Sequence, residues 1–266
     1  MTEISDSEFA QFQRFIYEAA GITLSAAKKA LVCGRLGKRL QACQVGSFGD
    51  YFELLMSGES AGELQNAVDL LTTNETYFFR EPRHFERLRA EAAAAPADTP
   101  FRVWSAAGST GEEAYSIAMV LEDVRPGRRW EVVASDISAR VLAQARAGHY
   151  RADRLQNFPP GFLQRFCLKG CGPRQGTLLI ERWLREKVGF LQVNLNEPLP
   201  QLGVFDVVFL RNVLIYFNRD TKRKVVARVL QKLRPGGLLL VGHSESLVDV
   251  TNEVSMLAPS AFRKPR

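Results

Sequence analysis

FRVWSAAGSTGEEAYSIAMVLE, residues Phe101 to Glu122, decides the fold. Phe101 and Val103 alternate with Arg102 and Trp104 as in a strand. Small residues follow from Ser105 to Gly111, and a helix opens on Glu112 and Glu113, where the helix dipole favours carboxylates. Strand, tight loop and helix in that order form the usual cradle for a nucleotide-like cofactor, because small residues let backbone approach the ligand.

A pyrophosphate dinucleotide asks for G-x-G-x-x-G and a helix start free of negative charge. Here Gly108 and Gly111 are the only glycines of the loop, and two glutamates crowd the helix start. Carboxylates there repel phosphate and suit a ligand that carries an ammonium and a sulfonium, as S-adenosylmethionine does. Trp130 to Asp136 reads as a second strand ending in an acid. It falls about 20 residues past the glycine loop, where an Asp accepts hydrogen bonds from ribose hydroxyls.

Composition narrows the class. Of 266 residues, 46% are apolar and 24% charged, the proportions of a soluble globular protein. No run approaches the roughly 18 apolar residues of a membrane span. The start, MTEISDSEF, is acidic and polar, so no signal peptide is expected. Cys33, Cys43, Cys167 and Cys171 make no disulfide framework, which points to a cytoplasmic setting. No His or Cys beside Cys167 and Cys171 completes four ligands, and no metal is expected. Residues 1–80 hold 7 Lys/Arg against 10 Asp/Glu, and the remainder 28 against 19. A basic body of this kind suits nucleic acid or an acidic protein surface, and charge alone does not choose.

The pattern ahead of residue 73 is helical. Asp6-Ser7-Glu8-Phe9 predicts a helix start with an N-cap and first-turn acids, and Gly21 ends that helix. Ala26 to Ala42 carries Leu31, Val32, Leu36 and Leu40 on one stripe and Lys28, Lys29, Arg35, Lys38 and Arg39 elsewhere, with no acid. Those cations read either as a solvated face or as a docking surface for an acidic helix. Helices at Phe48 and over Ala61–Leu71 follow, the last with Leu64, Val68 and Leu71 inward.

The expected organisation is an all-helical domain over 1–72, a connector over 73–99 and an α/β domain over 100–266. The connector holds Asn74 to Glu81, where three aromatics stand in a row beside Asn, Thr and Arg. Alternating strand and helix patterns beyond it make a doubly wound, Rossmann-like sheet. Glycines and prolines over about 158–188 mark a small antiparallel β insert ending in a sheet strand at Val188. FDVVFL, residues 205–210, is a buried core strand, and Pro235-Gly236-Gly237 turns into another at Leu238–Val241. Residues 254–262 suggest a last strand or hairpin. His84 and His149 are expected at the surface or a helix end, and His243 beside the site as a packing partner or supporting donor.

Four motifs stand in one chain: NETYFFRE from Asn74, WSAAGSTGEE from Trp104, RNVLIYF from Arg211 and GHSES from Gly242. The set closely resembles the CheR family of chemotaxis receptor methyltransferases, over nearly the whole chain. The resemblance implies S-adenosylmethionine-dependent methyl esterification of glutamates on the cytoplasmic helices of chemoreceptors. Carried over by position, it implies cofactor contacts at Asn74, Thr76, Arg80, Ala107, Glu112 or Glu113, Asp136, Asn194, Leu195, Leu210 and Arg211. It places Arg80 and Tyr216 nearest the transferred methyl. It makes the basic helix, with Lys28, Lys29, Arg35, Lys38 and Arg39, the receptor-facing one. It makes the β insert the part that in some members docks a receptor C-terminal tether peptide by strand addition. A cytoplasmic monomer recruited to receptor arrays is expected. Members often carry Cys or Ala where this chain has Gly108, and Pro where it has Ala114; neither change removes a ligand group.

The chemistry suits those residues. A glutamate is ionised at neutral pH, with a pKa of about 4.3, and needs no general base. The site has to align carboxylate, methyl and sulfur and shed water. A nucleic-acid amino-methyltransferase is the first rival, but the Asn/Asp-Pro-Pro-aromatic turn of that class is replaced here by Leu210-Arg211-Asn212-Val213. A non-catalytic receptor-binding adaptor is the second, and the presence of Arg80, Glu112, Glu113, Asp136 and Tyr216 argues against it.

Overall fold

A computed structural model describes residues 3–58, 61–155 and 157–266. Two compact units emerge: the chain up to Thr73 with Tyr216–Lys222, and Asn74–Ile215 with Arg223–Arg266. No helix among the described residues is long and apolar enough to cross a membrane.

In the first unit, α1 (Asp6–Ala20), α2 (Lys29–Ala42), α3 (Phe48–Ser57) and α4 (Ala61–Leu71) surround Phe12, which is fully buried. Phe12 meets the rings of Phe48, Tyr51 and Phe52 at 5.5–6.3 Å. The cap of α1 is Ser5, one residue ahead of the expected start. Its hydroxyl and the Glu8 carboxylate form a reciprocal capping box, so Asp6 falls inside the first turn. Leu64, expected inward, is 42% exposed. Val68 and Leu71 are buried as expected, and Glu63 and Ala67 complete the buried stripe in place of Leu64. A carboxylate tolerates that place because Arg39 grips both its oxygens, at 2.7 and 2.6 Å, and Tyr51 donates to it at 2.6 Å.

The second unit adds a helix inside the connector, α5 (Pro82–Ala94), which the alanine run hid; Pro82 sits in its first turn. Strands β1 (Phe101–Ser105) and β2 (Trp130–Asp136) flank α6 (Glu112–Val124), and α7 (Ala139–Ala147) stops at Gly148 in the left-handed region. The antiparallel insert begins earlier than expected. Its strands are β3 (His149–Arg151), β4 (Cys167–Lys169) and β5 (Thr177–Ile180), in the order β3-β5-β4, with the short α8 (Phe162–Phe166) beside them. After α9 (Arg182–Arg185) come β6 (Val188–Gln192), β7 (Phe205–Leu210), α10 (Arg219–Gln231), β8 (Leu233–Val241), β9 (Ser255–Ala258) and β10 (Ala261–Arg263).

The seven-stranded sheet has the order β6-β2-β1-β7-β8-β10-β9. Its first five strands are parallel; β10 runs antiparallel to β8 and to β9. Pro235-Gly236-Gly237, read from sequence as a turn, lies within β8. The register against β7 jumps from Phe205↔Leu233 to Val207↔Leu238, so the glycines form a bulge, and Gly236 takes φ 73°. Trp104 is fully buried in mid-sheet, stacked on Phe205, with its indole N–H donated to Ser135 Oγ at 3.0 Å.

Candidate functional site

Chain order reverses direction at β1, which has β2 on one side and β7 on the other. Ligands of doubly wound sheets sit in the crevice at such a point, outside the carboxyl ends of the strands. The loop after β1 is laced to both neighbours: Ala106 N–H donates to Phe209 O at 2.8 Å and Gly108 N–H to Ser135 O at 2.9 Å. A Cβ at Gly108 would lie 3.1 Å from Ser105 Oγ and 3.2 Å from Ala134 Cβ. At Gly111, φ 95°, it would lie 2.9 Å from both Ala145 Cβ and Tyr150 Oη, so only glycine fits there.

Asn74, Ser109 and Asp136 come together at this loop. Ser109, at φ 50°, donates its N–H to Asp136 Oδ2 at 3.0 Å and its hydroxyl to Asn74 O at 2.9 Å. Asp136 Oδ1 accepts Ser138 N–H at 2.9 Å. Val193 N–H donates to Asp136 O at 3.0 Å, which brings Asn194 and Leu195 to the end of β2. Asn194 caps its own turn through Asn196 N–H, and Leu195 is buried.

The two glutamates of the helix start part company. Glu112 is fully buried, with its carboxylate held by the Thr110 hydroxyl at 2.5 Å. Glu113 reaches the other way, accepting from Ser105 Oγ at 2.6 Å, with Arg211 Nε 3.3 Å from its second oxygen. Burial pushes the Glu113 carboxyl up; Arg211 and the Ser105 hydroxyl oppose that shift. Arg211 follows the buried Leu210 at the end of β7, and its side chain is 1% exposed. It also lies 3.7 Å from Glu81 Oε2 and donates Nη2 to Arg80 O at 2.6 Å. One guanidinium therefore stands against two carboxylates. Arg80 itself donates to Glu75 O at 3.0 Å, with its guanidinium 5.6 Å from the Tyr77 ring centre. Thr76 and Ala107 are half-buried in the same unit.

Three residues of this arrangement were given no role by the sequence, although each stands inside one of the four motifs. Ser105 looked like one more small residue. Glu81, the last residue of the first motif, holds φ 61° and accepts from Asn212 Nδ2 and His243 N–H at 3.4 and 3.3 Å. Glu245, in the GHSES motif, is buried and takes the N–H groups of Gly242, Asn212 and Ile215 at 2.6, 2.8 and 3.2 Å. It thus shapes the loop that leads to Tyr216. Burial pushes its carboxyl up, and those backbone donors pull it back.

Other expectations fall differently. Tyr216 groups with the helical unit, where its carbonyl accepts Thr23 N–H at 2.8 Å and Phe217 bridges to Ile22. His84, expected at the surface or a helix end, is at a helix end, in the first turn of α5, but is only 2% exposed because Ser260 and His243 pack on it. Of the five cations around α2, Arg39 holds Glu63 and Arg35 caps the end of α4 through Leu71 O, Thr72 O and Thr73 Oγ1 at 3.0–3.2 Å. Lys29 pairs with exposed Asp6 at 2.6 Å, and Lys28 and Lys38 are exposed.

Comparison with known proteins fixes the family. Residues 74–262 match the model of the CheR methyltransferase SAM binding domain, and residues 7–72 that of the CheR methyltransferase all-alpha domain. The chain belongs to the CheR methyltransferase family. It is 44% identical to the chemotaxis protein methyltransferase of Escherichia coli over 98% of this chain and 93% of that one. It is 41% identical to the Salmonella typhimurium protein of the same name, over 97% and 90%. Chemotaxis protein methyltransferase 2 of Pseudomonas aeruginosa is 40% identical over 96% and 92%.

The residues at the crevice fit the S-adenosylmethionine of the CheR domain. The acidic excess around Arg211 suits a ligand bearing an ammonium and a sulfonium, and repels a pyrophosphate. Gly111 lets backbone run where any side chain would intrude, and Gly108 keeps the turn against Ser105 and Ala134 uncrowded. A carboxylate offers about four lone-pair sites, so Asp136 can hold the loop and still accept from ribose hydroxyls.

Proposed function

We propose that this chain transfers the methyl group of S-adenosylmethionine to glutamate side chains on the cytoplasmic helices of chemotaxis receptors. The products are γ-glutamyl methyl esters and S-adenosylhomocysteine. The observation that carries the reading is identity above 40% with chemotaxis protein methyltransferases across both domains.

Bound S-adenosylmethionine supplies an electrophilic methyl. This chain supplies the holding and the aiming. Glu113 takes the ammonium end, Asp136 the ribose, and Asn74, Thr76, Ala107, Asn194, Leu195 and Leu210 the remaining outline; Glu112 acts from behind the loop through Thr110. Arg211 opposes the burial that pushes the Glu113 carboxyl up, and fixes the backbone of Arg80. Arg80 orients the incoming glutamate or the cofactor carboxylate, and Tyr216 hydrogen-bonds one glutamate oxygen while the other attacks. A glutamate ionised at neutral pH requires no base, and no histidine is given that part.

Lys28, Lys29 and Lys38 form the receptor-facing charge, with Arg35 and Arg39 building the helix that presents them. The insert β3-β5-β4 has an outer edge at β4 that suits strand addition by a receptor tether peptide. The enzyme works in the cytoplasm as a monomer recruited to receptor arrays. The test is transfer of tritiated methyl from S-adenosylmethionine to a receptor cytoplasmic fragment, with RNA and DNA as competing acceptors. Label on the receptor fragment alone is expected; label on nucleic acid, or none, overturns the reading.

A further inference from the structure

Glu81, His84 and His243 bring one carboxylate oxygen and two imidazole nitrogens within 4.8 Å of one another. Glu81 caps α5, His84 lies in the first turn of that helix, and His243 follows β8. Glu81 and His84 stand at the Glu-x-x-His spacing that some metal ligands use, and only the fold brings His243 to them.

Its hydrogen bonding is incomplete in a specific way. His84 Nε2 lies 2.8 Å from Ser260 Oγ, and that hydroxyl donates to Pro259 O at 2.6 Å. Ser260 therefore accepts Nε2–H, which leaves a bare lone pair on His84 Nδ1. That lone pair faces Glu81 Oε2 at 3.3 Å. Both atoms are buried with no hydrogen-bond partner among the described residues. Two acceptors in that position repel unless a proton or a cation lies between them. Arg211 Nε, at 3.7 Å from the same oxygen, is outside hydrogen-bond range and is shared with Glu113 at 3.3 Å.

We propose that Glu81 Oε2, His84 Nδ1 and His243 Nε2 form a binding site for a divalent transition ion of the zinc class. A tetrahedral ion with ligands at about 2.0–2.1 Å spaces its donors by about 3.3 Å, the distance between Glu81 and His84. His243 Nε2 stands 3.8 Å from Glu81 Oε2 on a side chain that is 54% exposed, so it has room to close and gives the ion a route in. The far nitrogen of a ligating histidine ordinarily donates to a supporting acceptor, as His84 does to Ser260. Two imidazoles and a carboxylate favour zinc, cobalt, nickel or copper over magnesium or calcium. Such an ion ties the residue after Arg80 to the loop after β8. It clamps the connector to the sheet and takes no part in methyl transfer.

The test uses tag-free full-length protein stripped with a chelator and titrated with cobalt(II) at neutral pH. With only 3 histidines in the chain, background uptake is small. Expected are a single equivalent bound, a visible d–d band of low coordination number, displacement by zinc(II), and a raised melting temperature. His243→Ala, at an exposed position, is expected to lose the band while melting like metal-free wild type; His149→Ala keeps it. As a measurement independent of any variant, zinc(II) is expected to shift the ¹⁵N resonance of His84 Nδ1. No uptake, a near-ultraviolet thiolate charge-transfer band, a band retained by H243A, or an unmoved Nδ1 resonance overturns the proposal.

Discussion

Ser105 donates its hydroxyl to Glu113 at 2.6 Å, on the side of that carboxylate away from Arg211. The last residue of the central strand therefore aims the acid that opens the helix after the loop. A carboxylate held at both oxygens loses little rotamer freedom when a cationic ligand arrives, which is the advantage of a prepared site.

Glu113→Gln tests that aim. The amide keeps the shape and one acceptor but removes the charge facing an ammonium. A hydrogen bond to a charged group contributes about 1.5–3 kcal/mol, so S-adenosylmethionine affinity is expected to fall by roughly 10- to 150-fold. Calorimetric titration reads this directly, and an unchanged affinity rejects Glu113 as a cofactor contact.

Tyr216→Phe separates alignment from binding. Loss of the phenol hydroxyl is expected to lower kcat while cofactor affinity stays at the wild-type value. Steady-state rates with a receptor fragment, set beside a cofactor titration, check both. An unchanged kcat makes Tyr216 a packing residue of its loop.

Arg39 and Lys38 are neighbours in sequence with opposite expectations. Arg39 holds buried Glu63, and removing one partner of a buried pair costs about 3–5 kcal/mol. Because Arg39 is itself 30% exposed, the lower end is expected for Arg39→Ala, read by denaturant unfolding of the helical unit. Lys38→Ala, at an exposed position, is expected within about 0.5 kcal/mol of wild type while raising the KM for receptor. Equal stability of the two variants contradicts the structural part given to Arg39.

The same pair sets a pH dependence. Hydrogen bonding from Arg39, reinforced by Tyr51 and Asn66 against the cost of burial, lowers the Glu63 pKa from 4.5 to about 2. A carboxyl depressed in the folded state contributes stability that is complete above its unfolded value and is lost as pH falls toward the folded one. Stability is therefore expected to decline between about pH 4.5 and about pH 2, by up to roughly 3 kcal/mol from this group. Unfolding curves across that range check it, and Glu63→Gln is expected to flatten them.

Much of the fold could be read from periodicity. The strand, loop and helix over 101–122 and the apolar run at 205–210 identified the sheet, because parallel core strands and dipole-placed acids leave local marks. Tertiary choices left none. The rotation of α4 that buries Glu63 and exposes Leu64 depends on Arg39 arriving from another helix. The alanine run concealed α5, since its buried face of His84, Phe85, Leu88 and Ala92 begins with a residue counted as polar. The place of Asp136 at the end of its strand, and of Glu112 and Glu113 at the helix start, was legible because each stands in a contiguous stretch. Glu81 was not, because its partners Asn212 and His243 lie more than a hundred residues away. The parts of Ser105 and Glu245 were not, because a small strand residue and a loop acid carry no local mark of which backbone or side chain they meet.

The measurement that bears most directly on the central claim is the chemical nature of the methylated group. A receptor cytoplasmic fragment, labelled with tritiated methyl by this enzyme, is treated with mild alkali and distilled. Glutamyl methyl esters release the label as volatile methanol, and mass spectrometry of the untreated fragment places the methyl on glutamate; this is the expected result. Label that resists alkali, or a methyl found on lysine, arginine or a nucleobase, contradicts it.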